Sequence, residues 1–217
     1  MRHRRPPVTP DSLDALAWDK MGGLLPALVQ DAASGRALML GYMNADALRA
    51  TLETGHATFW SRSKARLWTK GETSGNMLAV HAVHADCDDD ALLVLATPAG
   101  PACHTGAPAC WDAEPQGPGW LADLARVVAD RATASPDESY TAKLLARGPT
   151  RVAQKVGEEG VELALAAATG DRDGAVGEAA DLLFHMTVLM QASSFGWEDV
   201  VGELRARHKH PTPPRSG

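Results

Sequence analysis

Two groups of residues in this 217-residue chain have the types and spacing to do chemistry. The first is Asp86-Cys87-Asp88-Asp89-Asp90, followed by Cys103-His104 and Cys110-Trp111. Four carboxylates within five residues repel one another, so the run wants either a cation or open solvent. Along extended backbone Asp86, Asp88 and Asp90 fall on one side, and Cys87 and Asp89 on the other. Carboxylate oxygens suit Mg²⁺ and thiolates suit Zn²⁺, so one segment could serve two metals, or be a solvated acidic turn. Cys103 and Cys110 flank a Gly- and Pro-containing turn. With Cys87 they make three soft ligands and leave a fourth position for water or substrate, the open pattern of a catalytic zinc. The plain alternative is core thiols. His104, beside a ligand, is a candidate proton carrier.

Upstream, Trp60-Ser61-Arg62-Ser63-Lys64 and Arg66-Leu-Trp68-Thr-Lys70-Gly71-Glu72-Thr73-Ser74-Gly75-Asn76 combine cations, hydroxyls, aromatics and glycines. Glycine lets the backbone approach a ligand, and hydroxyls with Arg and Lys bind phosphate. A polar hairpin would also use these residues. The second chemical group is Lys155-Val-Gly-Glu158-Glu159-Gly-Val-Glu162, with Glu178-Ala-Ala-Asp181 further on. Spacings of three and four put side chains on one side of a helix. Two facing helices could present five carboxylates to one site, a crowd that divalent cations would neutralise together with substrate phosphates. An exposed acidic face paired with Lys155 is the alternative. Val161, Leu163 and Leu165 on the first helix, and Leu182, Leu183 and Phe184 beside Asp181, place these carboxylates at the border of packed surface.

These residues need two kinds of scaffold. Before residue 113 the pattern is short and β-like, with strands expected at 27–31, 37–42, 58–61, 67–70, 77–85 and 92–97. The stretch 78–84 alternates only loosely, which suggests strands buried on both faces. Asp11-Ser12 would cap a short helix through Trp18, and Asn44 another through Glu53 with Gly55 as its stop. Asp112-Ala-Glu-Pro-Gln-Gly-Pro-Gly119 reads as a linker. Beyond it the spacing predicts helices over 120–132, 140–146, 150–168, 173–194 and 198–207, joined by short connections into an antiparallel bundle. The fold class is α+β: a β-rich domain over 1–112, a linker over 113–119 and an all-α domain over 120–217.

Composition narrows the partners. Lys and Arg total 21 and Asp and Glu 27, a net charge of −6. Broad nucleic-acid binding relies on a basic surface and is not expected. No apolar run approaches the ~18–20 residues of a membrane span. The basic start, MRHRRPPVTPD, is followed by no apolar signal region and reads as a flexible arm. An odd three cysteines without an export signal imply free thiols in a reducing cytoplasm.

The first half closely resembles phosphoribosyl-AMP cyclohydrolase. The likeness lies in Gly41-Tyr-Met43, Trp60–Ser63, Leu67–Asn76, Asp86–Asp90 and Cys103-His-Thr-Gly…Cys110. The second half, through Ser139-Tyr-Thr-Ala-Lys143, Gln154–Glu162 and Glu178–His185, closely resembles phosphoribosyl-ATP pyrophosphatase of the MazG-like all-α superfamily. The order is that of a bifunctional enzyme of histidine biosynthesis, and the likeness covers about residues 20–210. It implies hydrolysis of the α–β anhydride of phosphoribosyl-ATP, then opening of the adenine ring between N1 and C6.

The resemblance also implies roles. Zn²⁺ would be held by Cys87, Cys103 and Cys110 in a site shared across a homodimer, with His104 moving protons. Mg²⁺ would be held by Asp86, Asp88 and Asp90. A second Mg²⁺ site would use Glu158, Glu159, Glu162, Glu178 and Asp181 as catalytic ligands. Substrate contacts would come from Trp60, Ser61, Arg62, Ser63, Lys70, Gly71, Glu72, Thr73, Ser74 and Asn76 in the first domain. Lys143, Arg151 and Lys155 would supply them in the second. A nucleotide pyrophosphatase with an inert first domain leaves the intact Cys/His/Asp set unexplained. A zinc-binding scaffold leaves the helical acids unexplained.

Overall fold

A computed structural model describes residues 5–115 and 117–208. The chain divides into two compact units, Met1–Gly119 and Trp120–Gly217. Among the described residues no helix is long and apolar enough to cross a membrane.

The first unit is built on a four-stranded mixed sheet in the order β2-β1-β6-β5, with β1 at Leu25–Asp31, β2 at Ala37–Met43, β5 at Leu78–Ala85 and β6 at Leu92–Pro98. Strands β1 and β6 run parallel, and the other pairs are antiparallel. Strict alternation in β1 buries Leu25, Ala27 and Val29, and β6 buries Leu92, Val94 and Ala96 on the matching period. Each fully buried side chain of Leu or Val size contributes on the order of 1.5–3 kcal/mol. Helix α1, Ala45–Thr54, starts where the Asn44 side chain accepts the Ala47 N–H at 2.9 Å and ends at left-handed Gly55. Its buried face, Ala47, Leu48 and Thr51, closes the core with Leu13 and Phe59. A separate hairpin pairs β3, Thr58–Ser61, with β4, Arg66–Thr69.

Three sequence expectations change here. The loose alternation of residues 78–84 does not mean burial on both faces. The pairing slips between Val80 and Ala82, so His81 is an extra residue in a bulge. The bulge resets the period, and Leu78 and Val83 are both buried. The expected helix from Asp11-Ser12 to Trp18 is two 3-10 turns, Pro10–Ala15 and Trp18–Met21. The Ala17 N–H donates to the Asp89 carbonyl at 2.8 Å, which draws the chain out of helical register. The basic arm is docked from Arg5 onward: the Val8 N–H donates to Val83 on edge strand β5 at 2.7 Å, and Val8 is buried. Residues 1–4 of that arm, and the tail beyond His208, lie outside the described residues.

The second unit is helical: α2 at Trp120–Ala132, α3 at Tyr140–Ala146, α4 at Pro149–Thr169, α5 at Arg172–Ser193 and α6 at Trp197–Arg207. Pro149 opens α4 at its first turn, where its missing N–H costs nothing. Gly170 ends α4 in the left-handed region, and Asp171 caps α5 by accepting the Gly174 N–H at 3.0 Å. Val128, Leu144, Val152 and Val188, one from each of α2 to α5, form the core. The long antiparallel pair α4 and α5 carries the carboxylate motifs. Gly160 and Gly177 lie inside it without breaking either helix.

Candidate active sites

In the helical unit, packing of α4 on α5 brings Glu159, Glu178 and Asp181 together, with their oxygens within 4.8 Å of one another. Glu159 is 5% exposed and faces the helix interface. Lys155 Nζ, one turn earlier, lies 2.6 Å from Glu159 and 2.9 Å from Glu158. That hydrogen-bonded ammonium holds both carboxyls below the usual carboxylate range. Lys155 is raised above the ordinary lysine value by the same contacts. Glu178 is pushed the other way. Burial is the largest cause, followed by hydrogen bonding to Glu159 and repulsion from Glu162, Glu159 and Asp181. A half-buried carboxylate crowded by three others is a fit place for a divalent cation.

The five predicted carboxylates are therefore not equivalent. Glu159, Glu178 and Asp181 share one point, and Glu162 stands close enough to raise Glu178. Glu158 is turned to Lys155 and to Arg151 at 3.3 Å. The packed border expected around them is one-sided: Val161 and Leu165 are exposed, and only the Glu159 side is covered. Sequence reasoning missed His185. It is buried, its Nδ1 is 2.9 Å from the Asp181 carbonyl, and its Nε2 is 3.3 Å from the Tyr140 hydroxyl. The signal was present, since Glu178, Asp181 and His185 fall at i, i+3 and i+7 on one helix face. A cleft of about 190 Å³ adjoins the site, lined by Tyr140, Lys143, Leu144, Arg147, Arg151 and Lys155. It contains all three predicted phosphate contacts.

In the first unit the acidic run is a hairpin turn and not extended backbone. Asp89 takes φ +65°, and the Asp86 carboxylate accepts the N–H groups of Asp90 and Ala91 at 3.0 and 3.2 Å. The turn gathers Asp86, Cys87 and Asp88 within 4.8 Å. Asp90 instead stands with Asp88 around Lys20, whose Nζ is 2.8 Å from Asp88 and 3.5 Å from Asp90. The Lys20 hydrogen bond keeps Asp88 below its ordinary value. Arg5 pairs with Asp89 and donates to the carbonyls of Asp86 and Cys87.

Cys103 and Cys110 close the base of a loop in which the Cys103 N–H donates to Ala107, and Gly106 turns the chain at φ +87°. The Thr105 hydroxyl donates to Cys103 Sγ at 3.1 Å, the largest cause of a thiol held below its ordinary value. Cys110 is raised, first by burial and then by the neighbouring Cys103, while Lys70 acts to lower it. Two adjacent thiols, one predisposed to ionise, suit a soft metal. His104 Nδ1 lies 3.8 Å from Cys103 Sγ, on the exposed side. Cys87 does not join this pair within one chain. It follows β5 at one edge of the sheet, whereas the Cys110 N–H donates to Leu38 on β2, the opposite edge. Three strand spacings, roughly 14 Å, separate those positions.

The Lys70–Asn76 turn is held by its own residues. Gly71 sits at φ +92°, and a Cβ there would lie 2.5 Å from the Asn76 backbone. Glu72 accepts the Thr69 N–H at 3.0 Å, the largest cause of a carboxyl held below its ordinary value, and its pairing with Arg66 adds to that. Ser74 accepts the Asn76 N–H, and the Asn76 side chain lies against Gly100 at the start of the cysteine loop. Thr73 is exposed. Trp60 and Ser61 end β3, Ser63 Oγ is 3.4 Å from Ser61 Oγ, and Arg62 stacks 4.1 Å over the Tyr42 ring. Gly41 makes room for Phe59, whose ring would be 2.4 Å from a Cβ there. So Lys70 and Asn76 are brought to the cysteine loop, and Arg62 and Ser63 occupy a hairpin tip.

Residues 39–112 match the family model for phosphoribosyl-AMP cyclohydrolase, and residues 121–208 that for phosphoribosyl-ATP pyrophosphohydrolase. The histidine biosynthesis bifunctional protein HisIE of Vibrio vulnificus (strain YJ016) is 53% identical over 199 residues, covering 90% of this chain and 94% of the relative. The protein of the same name from Salmonella typhimurium is 54% identical over 197 residues, covering 89% and 96%. That from Shewanella oneidensis is 51% identical over 204 residues, covering 93% and 95%. With both domains matched in one chain and relatives aligned along nearly its whole length, this protein belongs to the HisIE family of bifunctional histidine-biosynthesis proteins.

Proposed function

We infer that the helical unit hydrolyses phosphoribosyl-ATP to phosphoribosyl-AMP and pyrophosphate, and that the β-rich unit then opens the adenine ring of phosphoribosyl-AMP between N1 and C6. Each step consumes one water. The observation that carries this reading is the presence in one chain of both donor sets: the Glu159–Glu178–Asp181 cluster and the Cys103–Cys110 pair beside Lys70.

In the helical unit, Glu159, Glu178 and Asp181, with Glu162, would hold Mg²⁺, which when bound neutralises phosphate charge and polarises the anhydride. Lys155 keeps Glu159 ionised and aimed. Lys143 and Arg151 meet phosphate from the cleft. His185 is a positioning residue: it links α5 to Tyr140 of α3 and fixes the wall behind Glu159.

In the β-rich unit, Cys103 and Cys110 with Cys87 from a second copy would hold Zn²⁺, which when bound lowers the pKa of water toward neutrality. The separation of Cys87 from the pair within one chain supports a site shared by a homodimer. His104, beside Cys103 and open to solvent, carries a proton between the water and the purine nitrogen that becomes N–H. Asp86 and Asp88, with Asp90, would hold Mg²⁺ at a substrate phosphate once Lys20 yields its place. Lys70 and Asn76 frame the substrate at the cysteine loop. Three free thiols suit a reducing cytoplasm.

Single-site variants test the division of labour. Cys103→Ala should convert phosphoribosyl-ATP to phosphoribosyl-AMP and stop there. Glu162→Ala should leave phosphoribosyl-ATP uncleaved and still open added phosphoribosyl-AMP. Loss of both reactions in either folded variant would overturn the two-site assignment.

A further inference from the structure

The cleft between α3 and α4 carries more positive charge than the surrounding acids engage. Of its cations, Arg151 and Lys155 are paired with Glu158, and Lys155 also with Glu159. Lys143 and Arg147, one helical turn apart, also line it, and neither has an anionic partner among the described residues. Like charges at this spacing disfavour each other, and an anion seated between them removes that cost. The volume of about 190 Å³ is below the roughly 300–1,000 Å³ of pockets that enclose a whole small-molecule ligand. It suits a phosphate chain better than a base with its ribose. The Lys155 end of the cleft meets the carboxylate cluster, because Lys155 Nζ is 2.6 Å from Glu159. An anion lying along the cleft therefore emerges where the carboxylates converge.

The substrate class assigned above has two anionic ends, the triphosphate and the phosphate on the N1-linked ribose. We propose that Arg147, with Lys143, binds the diphosphate leaving group of phosphoribosyl-ATP, so that the α–β linkage lies at the Glu159–Glu178–Asp181 cluster. This rests on the pyrophosphate-releasing activity assigned to the helical unit. The Arg147 guanidinium offers paired N–H donors that match phosphate oxygens, which a lysine ammonium reproduces only as a point charge. Arg147 is a binding residue in this scheme, and its contact selects which end of the substrate enters.

Product inhibition separates the two ends, because each product carries one of them. The assay is pyrophosphate release from phosphoribosyl-ATP at fixed free Mg²⁺. It uses the full chain carrying Cys103→Ala, so that phosphoribosyl-AMP is not consumed. Adding Arg147→Ala should weaken inhibition by inorganic pyrophosphate about tenfold or more, the loss expected for a charged hydrogen-bonding contact. Inhibition by phosphoribosyl-AMP should be unchanged. Arg147→Lys, which keeps the charge at an exposed position, should fall between. Weakened inhibition by phosphoribosyl-AMP alone would place the ribose phosphate in the cleft and overturn the proposal, as would unchanged inhibition by both products. A parent chain that releases no pyrophosphate would instead overturn the activity assigned to the helical unit, and this inference with it.

Discussion

At the residue scale, Glu178 holds the tension of the helical site. Its carboxyl is raised by burial, by hydrogen bonding to Glu159 and by repulsion from Glu162, Glu159 and Asp181. A carboxyl raised on folding binds more protons in the native than in the unfolded state, so its ionisation lowers stability as pH rises through the raised value. Glu159 and Glu158, held low by Lys155, contribute stability that is lost as pH falls through their lowered values. Glu178→Gln should therefore raise the unfolding midpoint of metal-free protein at pH 8, and this gain should shrink in acid, where the parent carboxyl is protonated. The same change should reduce pyrophosphate release by more than about a hundredfold if Glu178 holds Mg²⁺ as proposed. Thermal unfolding in chelator at two pH values checks the first part; a lower midpoint than the parent at pH 8 would contradict it. The spacing of Glu158, Glu159, Glu162, Glu178 and Asp181 made the cluster legible in sequence. Which carboxylate is buried was not legible, because that depends on how α4 is rotated against α5.

At the element scale, short turns do the positioning. Gly71→Ala would force an L-residue to φ +92° with its Cβ against the Asn76 backbone. The expected cost is about 1–3 kcal/mol, with a raised KM for phosphoribosyl-AMP as Lys70 and Asn76 shift. Chemical unfolding and steady-state ring-opening kinetics check this; parental stability and KM would contradict it. Element types and most ends were readable because apolar period, caps and glycine stops agree, as in Asn44 and Gly55 around α1. What escaped the sequence was set by contacts distant along the chain. The bulge at His81 follows from pairing with β6, the 3-10 turns follow from Ala17 bonding to Asp89, and the acidic run is a turn because Asp86 caps its own loop.

At the scale of the whole molecule, each unit has its own core, and the thiols of the first lie at opposite edges of one sheet. A zinc site needing Cys87, Cys103 and Cys110 would then take Cys87 from a second copy. Co-expressed Cys87→Ala and Cys103→Ala chains, each inactive in ring opening alone, should recover roughly a quarter of parental activity through random pairing in a twofold dimer. No recovery in purified mixed dimers would contradict the shared site. The two-step claim itself is tested most directly by following phosphoribosyl-ATP with zinc- and magnesium-loaded parental protein by mass spectrometry. Pyrophosphate and the ring-opened product should accumulate in equal amounts, with phosphoribosyl-AMP passing through as an intermediate. Accumulation of phosphoribosyl-AMP as the end product would contradict the two-step claim.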